Sequence, residues 1–263
     1  MQLHKVSSLN ASQVEQIKKL VHACTAADGT RLSFPFDDAD LFLFFEHDGR
    51  IVSAIAFIPM DDLLYECSAF TDPEFRGQGL FSELLDEGIE ELPEDSELMF
   101  YTDQKNTAAA AVLESIGAEL DSKEHMMELL PENFSIAACL ITARRPDQTE
   151  SAAASLESDP EIDIHAETLN IDGTETLRFQ SAHAVINFSV FPSHYYLYGF
   201  EVEKSCRGMG YGTKFLHAVL ARLLRGNAAR PVLLQVSGSN APALTLYKKT
   251  GFQITETLCC YLY

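Results

Sequence analysis

The chain has 263 residues, of which 46% are apolar, so it can build a hydrophobic core and is not globally disordered. This length suits one large domain or two small ones. The 39 acidic and 19 basic residues give a net charge of −20, which repels phosphate backbones and argues against a nucleic-acid partner. The same charge slightly favours a cationic partner.

Several expectations concern location and metals. The six cysteines form no CxxC pair, which is typical of reduced thiols in a cytoplasmic protein. The first twenty residues lack the apolar segment of a secretory signal, and the longest apolar run, 136–141, is too short to cross a bilayer. We therefore expect no membrane contact. The eight histidines show no metal-ligand spacing, so we also expect no metal.

Hydrophobic periodicity predicts alternating helices and strands in the first half. The expected elements are a helix at 11–25, strands at 41–46, 50–58 and 64–70, a helix at 79–92, a strand at 98–103 and a helix at 107–116. Pro93 and Gly117 are typical helix-ending residues.

The second half shows the same order. We predict strands near 175–180, 183–191 and 195–203, a helix at 210–225, a strand at 231–237, a helix at 241–250 and a final strand at 252–262. Residues 135–143 are predicted as a strand and 143–163 as an exposed connection. Met126–Met127 and Cys259–Cys260 are attributed to packing in closing strands. The order predicts an α/β (α+β layered) fold with helices on mixed sheets.

Two pairs of segments suggest an internal duplication. Residues 63–85 resemble 194–216, with Arg76 matching Arg207, and residues 106–118 resemble 240–252. Each copy contains an apolar strand, an Arg-Gly-x-Gly turn and an amphipathic helix. We therefore predict two tandem units, at 1–131 and 132–263.

The sharpest local feature is the turn RGMGYG at 207–212, which stands between a predicted strand and a predicted helix. Its glycines allow close backbone approach to a ligand, and the helix N-terminus favours a phosphate or pyrophosphate. Thr213 stands where a dinucleotide fingerprint needs glycine, and the order Gly-Thr-Lys does not match a Walker A loop. A purely structural turn is the alternative.

These residues resemble the acetyl-CoA loop of the GNAT N-acetyltransferases, R/Q-x-x-G-x-G/A, and LLQVSGSNAPALTLYKKTGF (233–252) is similar to a later signature of that family. The resemblance implies a tandem GNAT protein, each unit a mixed, mostly antiparallel sheet flanked by helices. It also implies a cofactor-binding set, which comprises Val202, Arg207, Gly208, Met209, Gly210, Tyr211, Gly212, Thr213 and Asn240.

The first half departs from the family pattern. Arg76, Gly77 and Gly79 are retained, but Phe81 stands at the last glycine position and Leu113 at the position of Tyr247. The resemblance therefore implies a degenerate N-terminal unit and a catalytic C-terminal unit.

The family resemblance implies direct attack of an amine on the thioester of acetyl-CoA, without a metal. Tyr247 would be the general acid, although a core aromatic is the alternative. Asn240 is equally suited to cap a helix or to contact the coenzyme. The base is open: Glu201 and Glu203 are candidates, directly or through a water, with Glu201 preferred, and solvated edge residues are the alternative.

The sequence thus predicts an N-acetyltransferase that acts on a primary amine of a small molecule or a protein, as a monomer or homodimer. A non-catalytic CoA-binding scaffold and activity in the N-terminal unit are the alternatives. The identity of the acceptor is not encoded in any recognisable motif.

Overall fold

The computed structural model describes residues 1–134, 162–225 and 230–263. They form two compact units: Met1–Lys123 with Thr257–Tyr263, called here the N-terminal unit, and Glu124–Glu256, called the C-terminal unit. The strand predicted at 135–143 and nearly all of the connection predicted at 143–163 lie outside the described residues. Among the described helices, none is long and apolar enough to cross a membrane.

The N-terminal unit is a mixed sheet with helices on both faces. Its strand order is β1-β2-β3-β4-β5-β12, where β12 is Gln253–Leu262, and within it the pair β4–β5 is parallel while the others described are antiparallel. The elements are β1 (Gln2–Val6), α1 (Ala11–Asp28), β2 (Leu41–His47), β3 (Arg50–Pro59), β4 (Leu64–Thr71), α2 (Leu80–Ile89), β5 (Glu97–Asp103) and α3 (Thr107–Ile116).

The C-terminal unit repeats this plan in the order β6-β11-β10-β9-β8-β7, with β10–β11 as its parallel pair. The elements are β6 (Glu119–Leu129), β7 (His165–Ile171), β8 (Thr174–Gln180), β9 (Ala184–Val190), β10 (Tyr195–Val202), α4 (Tyr211–Leu223), β11 (Val232–Ser237) and α5 (Ala241–Thr250).

Strand alternation places the helices on defined faces of the N-terminal sheet. Phe42 and Phe44 pack in the cluster beneath α1, whereas Leu43 and Phe45 pack in the cluster that contains residues of α2 and α3. In the C-terminal unit, α4 and α5 share one core cluster, which contains Phe215, Val219 and Tyr247. The helix that follows each glycine turn, α2 or α4, is therefore anchored by a buried apolar face.

One strand of each unit comes from the other half of the sequence: β12 in the N-terminal unit and β6 in the C-terminal unit. Residues 258–262 of β12 pair with β5, whereas β6 pairs with β11 from Glu124 to Leu129. Cys259 and Tyr261 accordingly lie in the N-terminal core, and Met127 lies in the C-terminal core. A division at residue 131 would assign both strands to the opposite units, because an apolar pattern identifies a strand but not its pairing partner.

The predicted α/β layering of two mixed, mostly antiparallel sheets is confirmed, and the predicted helices and strands outside the undescribed segments are all present. The helix expected at 79–92 is shorter, at Leu80–Ile89. Two strands were not predicted, β1 and β7. Both are edge strands without a fully buried residue, so they lack the clear apolar alternation that identifies a half-buried strand.

Candidate functional site: the glycine turn and the strand opening

The turn of the C-terminal unit has the geometry of an anion site. Arg207 donates from Nε to the carbonyl oxygen of Val202 at 2.8 Å, which ties the turn to the end of β10. Gly208 and Gly210 have φ of +75° and +81°, where other residues are strained. Gly210 precedes α4, and no side chain caps this helix start. The first N–H groups of α4 are therefore available to a phosphate.

Beside this turn, β10 and β11 separate. They pair over Tyr195–Leu197 and Val232–Leu234, and beyond these residues β10 has no partner in β11. A bulge interrupts the pairing of β10 with β9 between Tyr198 and Glu201. The backbone groups left without sheet partners can bond an extended ligand as a neighbouring strand would.

Small residues let the helix, the turn and β10 approach one another. A Cβ at Gly199 would lie 2.8 Å from Nδ2 of Asn187, and φ of +57° there also favours glycine. A Cβ at Gly212 would lie 3.2 Å from Cγ2 of Val202, closer than an ordinary contact. Glycine at 212 thus lets the first turn of α4 lie directly against β10.

The other predicted residues of the turn differ in their surroundings. The side chain of Met209 is 71% exposed, and that of Thr213 is half-buried in the first turn of α4. Tyr211 donates its hydroxyl to Oγ of Ser181 at 3.0 Å, so this phenol is engaged within the unit. The ring of Tyr211 also meets that of His183 edge-on.

Tyr247 is 7% exposed on α5, and its ring meets that of Phe252 edge-on at 5.5 Å. Burial raises the pKa of Tyr247 to about 12. The phenol therefore holds its proton more tightly than an ordinary tyrosine. This environment fits a core aromatic and makes proton donation harder than the sequence suggests.

Asn240 is the N-cap of α5. Its Oδ1 accepts from the N–H of Ala243 at 3.2 Å, so the capping interaction is formed. The side chain lies at an exposed position, and its Nδ2 has no protein partner among the described residues. The oxygen is occupied by the helix, while the amide nitrogen can donate to a ligand.

The two candidate carboxylates are not held in a buried site. Glu201 pairs with Val185 of β9 through its backbone, and its exposed side chain has no hydrogen-bond partner in the described part of the chain. Glu203 follows β10 and contacts Nδ1 of His183 at 2.8 Å.

The N-terminal unit contains the same turn. Arg76 donates from Nε to the carbonyl oxygen of Thr71 at 3.1 Å, and Gly77 and Gly79 have φ of +73° and +80°. The strands β4 and β5 also pair only as far as Cys67 and Phe100 before they separate. The two turns therefore have matching backbones, and their differences lie in side chains.

Those side chains differ most around Arg76 and at position 81. Asp28, at the end of α1, accepts from Nη1 and Nη2 of Arg76 at 2.7 and 3.0 Å, and from Nδ2 of Asn106 at 3.2 Å. Phe81 packs edge-on against Phe100, where the strands begin to separate. A carboxylate thus engages the arginine and the asparagine, and an aromatic side chain stands at position 81, where the C-terminal unit has Gly212.

The corresponding groups of the C-terminal unit are not engaged in this way. Among the described residues, no carboxylate contacts Arg207 or Nδ2 of Asn240. Leu113, at the position of Tyr247, is buried and has no proton to donate. Sequence reasoning missed Asp28, because nothing in its local pattern indicates a contact with Arg76 or Asn106. These two residues lie 48 and 78 positions further along the chain.

The N-terminal unit also contains a cavity of about 550 Å³ on the α1 face of the sheet. Its walls include the aromatic rings of Phe34 and Phe36 and the carboxylates of Asp37, Asp38 and Glu66, with no basic residue. Burial, and then the nearby charge of Asp38, raises the pKa of Glu66. Such a cavity suits a cationic group.

The family and structural comparisons agree with this architecture. The model of the acetyltransferase (GNAT) family matches residues 14–118 and again residues 156–252. No curated protein matches the sequence. A GCN5-related N-acetyltransferase from Sphaerobacter thermophilus has a TM-score of 0.62 at 14% identity, covering 99% of this chain and 95% of its own.

Two further solved structures have the same fold over the whole chain. A tandem GNAT protein from the clavulanic acid biosynthesis pathway has a TM-score of 0.64 at 14% identity, with coverage of 100% and 98%. A GNAT-family acetyltransferase from Colwellia psychrerythraea has a TM-score of 0.54 at 12% identity and full coverage of both chains. Because the family model matches both halves, the chain belongs to the GNAT acetyltransferase family as a tandem protein.

Proposed function

We propose that the protein is an acetyl-CoA-dependent N-acetyltransferase whose C-terminal unit binds the coenzyme and carries out the transfer. The observation that carries this proposal is the contrast between the two units. They have matching glycine turns, but Asp28 engages Arg76 and Asn106 in the N-terminal unit, whereas no carboxylate of the described residues contacts Arg207 or Nδ2 of Asn240 in the C-terminal unit.

In this proposal the start of α4 binds the pyrophosphate through its free N–H groups, and Arg207 holds the turn in place. The unpaired edge of β10, including Val202, hydrogen-bonds the pantetheine arm. N–H groups near the bulge stabilise the tetrahedral oxyanion. The predicted contacts of Met209, Tyr211 and Thr213 belong to the same site.

The proposed chemistry is a single transfer. The amine nitrogen attacks the thioester carbonyl carbon, the C–S bond breaks, and the leaving thiolate receives a proton. Tyr247 is the proposed donor to this thiolate. Its pKa of about 12 lies above that of the thiol that forms, ~8.5, so the transfer is unfavourable at equilibrium. A water molecule is the alternative acid. The amine's proton leaves to Glu201 or to a water beside it.

The acceptor is proposed to be a primary amine of a small molecule or a protein, and no metal takes part. The net charge of −20 favours a cationic acceptor through long-range attraction. We further propose a cytoplasmic protein that is a monomer or a homodimer, without a nucleic-acid or membrane partner.

One observation favours transfer in the N-terminal unit instead. The acidic cavity lies there, and Glu66, with its raised pKa, stands on β4 as a candidate base. This alternative requires the coenzyme to displace the Asp28 contacts. A third possibility is a scaffold that binds CoA without transfer.

Calorimetric titration of the full chain with acetyl-CoA tests the proposal, followed by a transfer assay with a panel of primary amines. We expect one saturable site and transfer to at least one amine. Absence of binding would refute the coenzyme assignment. Binding without transfer to any amine would favour the scaffold.

A further inference from the structure

Three side chains with metal-binding atoms converge at the base of the C-terminal glycine turn. They are His183, which follows β8, and Glu203 and Cys206, which precede the turn. Nδ1 of His183 lies 2.8 Å from Oε2 of Glu203, and the ligand atoms of all three residues lie within 4.8 Å of one another. The histidine is 20 residues from the glutamate, so chain spacing alone does not indicate this cluster.

The backbone holds these three residues in place. The N–H of Glu203 donates to the carbonyl oxygen of His183 at 2.9 Å, which joins the two segments directly. Residues Lys204–Cys206 form a 3-10 turn, in which the N–H of Cys206 donates to the carbonyl oxygen of Glu203 at 2.9 Å. Side chains three residues apart in such a turn lie on one side. The set is therefore already assembled.

Neighbouring side chains support the same arrangement. Ser205 donates to Oε2 of Glu203 at 3.4 Å and lies 3.7 Å from Sγ of Cys206. The edge-on contact with the ring of Tyr211, at 5.7 Å between centroids, orients the imidazole of His183. Contacts of this kind outside the ligand set orient ligands in metal sites.

The matching position of the N-terminal unit is built differently. There Asp72 replaces Glu203 and Phe75 replaces Cys206, and the N–H of Asp72 donates to the carbonyl oxygen of Val52. The guanidinium of Arg50 lies 3.4 Å from Asp72 and above the ring of Phe75. A protein cation thus occupies the place beside the carboxylate in one unit, whereas the other unit presents a histidine and a thiol.

We propose that His183, Glu203 and Cys206 bind a Zn²⁺ ion. Nitrogen, thiolate sulfur and carboxylate oxygen are the ligand types of zinc, and three protein ligands leave a fourth position for water. Tetrahedral coordination requires ligand atoms on the order of 3.5 Å apart, so small side-chain rotations suffice. Binding converts the Cys206 thiol to a thiolate and releases its proton to solvent.

The site joins the end of β8 to the segment that leads into the turn at Arg207. A bound ion therefore restrains the entrance of the turn that we assign to the coenzyme. Zinc binding itself does not depend on acetyl transfer, so a negative result in either experiment leaves the other interpretable.

Zinc binding by the purified full chain is measured by competition with a chromophoric chelator, under reducing conditions. We expect one equivalent to bind, and both Cys206→Ser and His183→Ala to weaken binding by at least about tenfold. In the Co²⁺-loaded protein, a thiolate-to-cobalt absorption band is expected that Cys206→Ser abolishes. Glu203→Gln, which retains the shape of the side chain, is expected to weaken binding as well.

His165→Ala is the matched control, because His165 is an exposed histidine of the same unit that pairs with Asp163. It is expected to leave zinc affinity unchanged, and melting curves of all variants without metal confirm folding. The proposal is overturned if the wild-type chain binds no zinc, or if Cys206→Ser and His183→Ala bind it as tightly as the wild type.

Discussion

Replacing Gly210 with alanine is expected to weaken acetyl-CoA binding by about 10- to 100-fold, whereas alanine at Gly79 leaves it unchanged. The two glycines form a matched pair. Gly210 has φ 81° and ψ −1°, Gly79 has φ 80° and ψ 2°, and each precedes the helix that follows its turn. A Cβ at either position meets no protein atom within 4 Å.

The effect on stability follows from this geometry. A side chain in the left-handed region costs about 1–2 kcal/mol, and no steric clash adds to it at either position. Both variants should therefore lose a similar unfolding free energy and remain folded. The effect on binding has a different origin, because Gly210 is the N-cap of α4 and a methyl group added there occupies open space at the proposed pyrophosphate site. Loss of one charge-assisted hydrogen bond costs about 1.5–3 kcal/mol, which is roughly 10- to 100-fold in affinity.

Calorimetry gives affinity and stoichiometry for each variant, and thermal melting checks that the stability losses match. Equal weakening by the two substitutions would show that both turns bind coenzyme. Weakening by Gly79→Ala alone would place the coenzyme in the N-terminal unit. Either result would refute the reasoning from Asp28.

Three further predictions concern single side chains. Tyr247→Phe should reduce turnover at least about tenfold without changing acetyl-CoA affinity; unchanged turnover would exclude Tyr247 as the acid. Asp28→Asn should lower the unfolding free energy by about 1–2 kcal/mol, since it weakens the contacts with Arg76 and Asn106, and an unchanged denaturation midpoint would contradict those contacts. Burial lowers the pKa of His217, so the unfolded chain binds its proton more readily and stability falls as the pH drops below about 6.5. His217→Gln should reduce that fall in melting temperature, and an identical pH dependence would refute the assignment.

The duplication was visible in the sequence, but its exact register was not. The pairings Cys67 with Phe100 and Leu197 with Leu234 make Cys67 and Leu197 equivalent, 130 residues apart, whereas Arg76 and Arg207 are 131 apart. The extra residue lies in the bulge of β10. An ungapped alignment of 63–85 with 194–216 cannot show it, because a bulge changes backbone pairing without a distinctive residue pattern.

The parts of the candidate site that are set by residues close together in the sequence could be predicted. The positive φ of Gly208 and Gly210 and the capping by Asn240 follow from local motifs. The contacts of Asp28 and the cluster of His183 with Glu203 join distant segments, and polar surface residues have no periodicity that would reveal such pairs.

The sequence by itself determined the layered α/β class, the two copies and the position of each glycine turn, because periodicity and turn chemistry act over a few neighbouring residues. The tertiary structure decided which strands complete each sheet, and it decided that Asp28 engages Arg76 and Asn106 in one of the two units. It also set the environment of Tyr247, whose raised pKa comes from burial. These properties depend on contacts between segments far apart in the chain, and local sequence patterns do not specify such contacts.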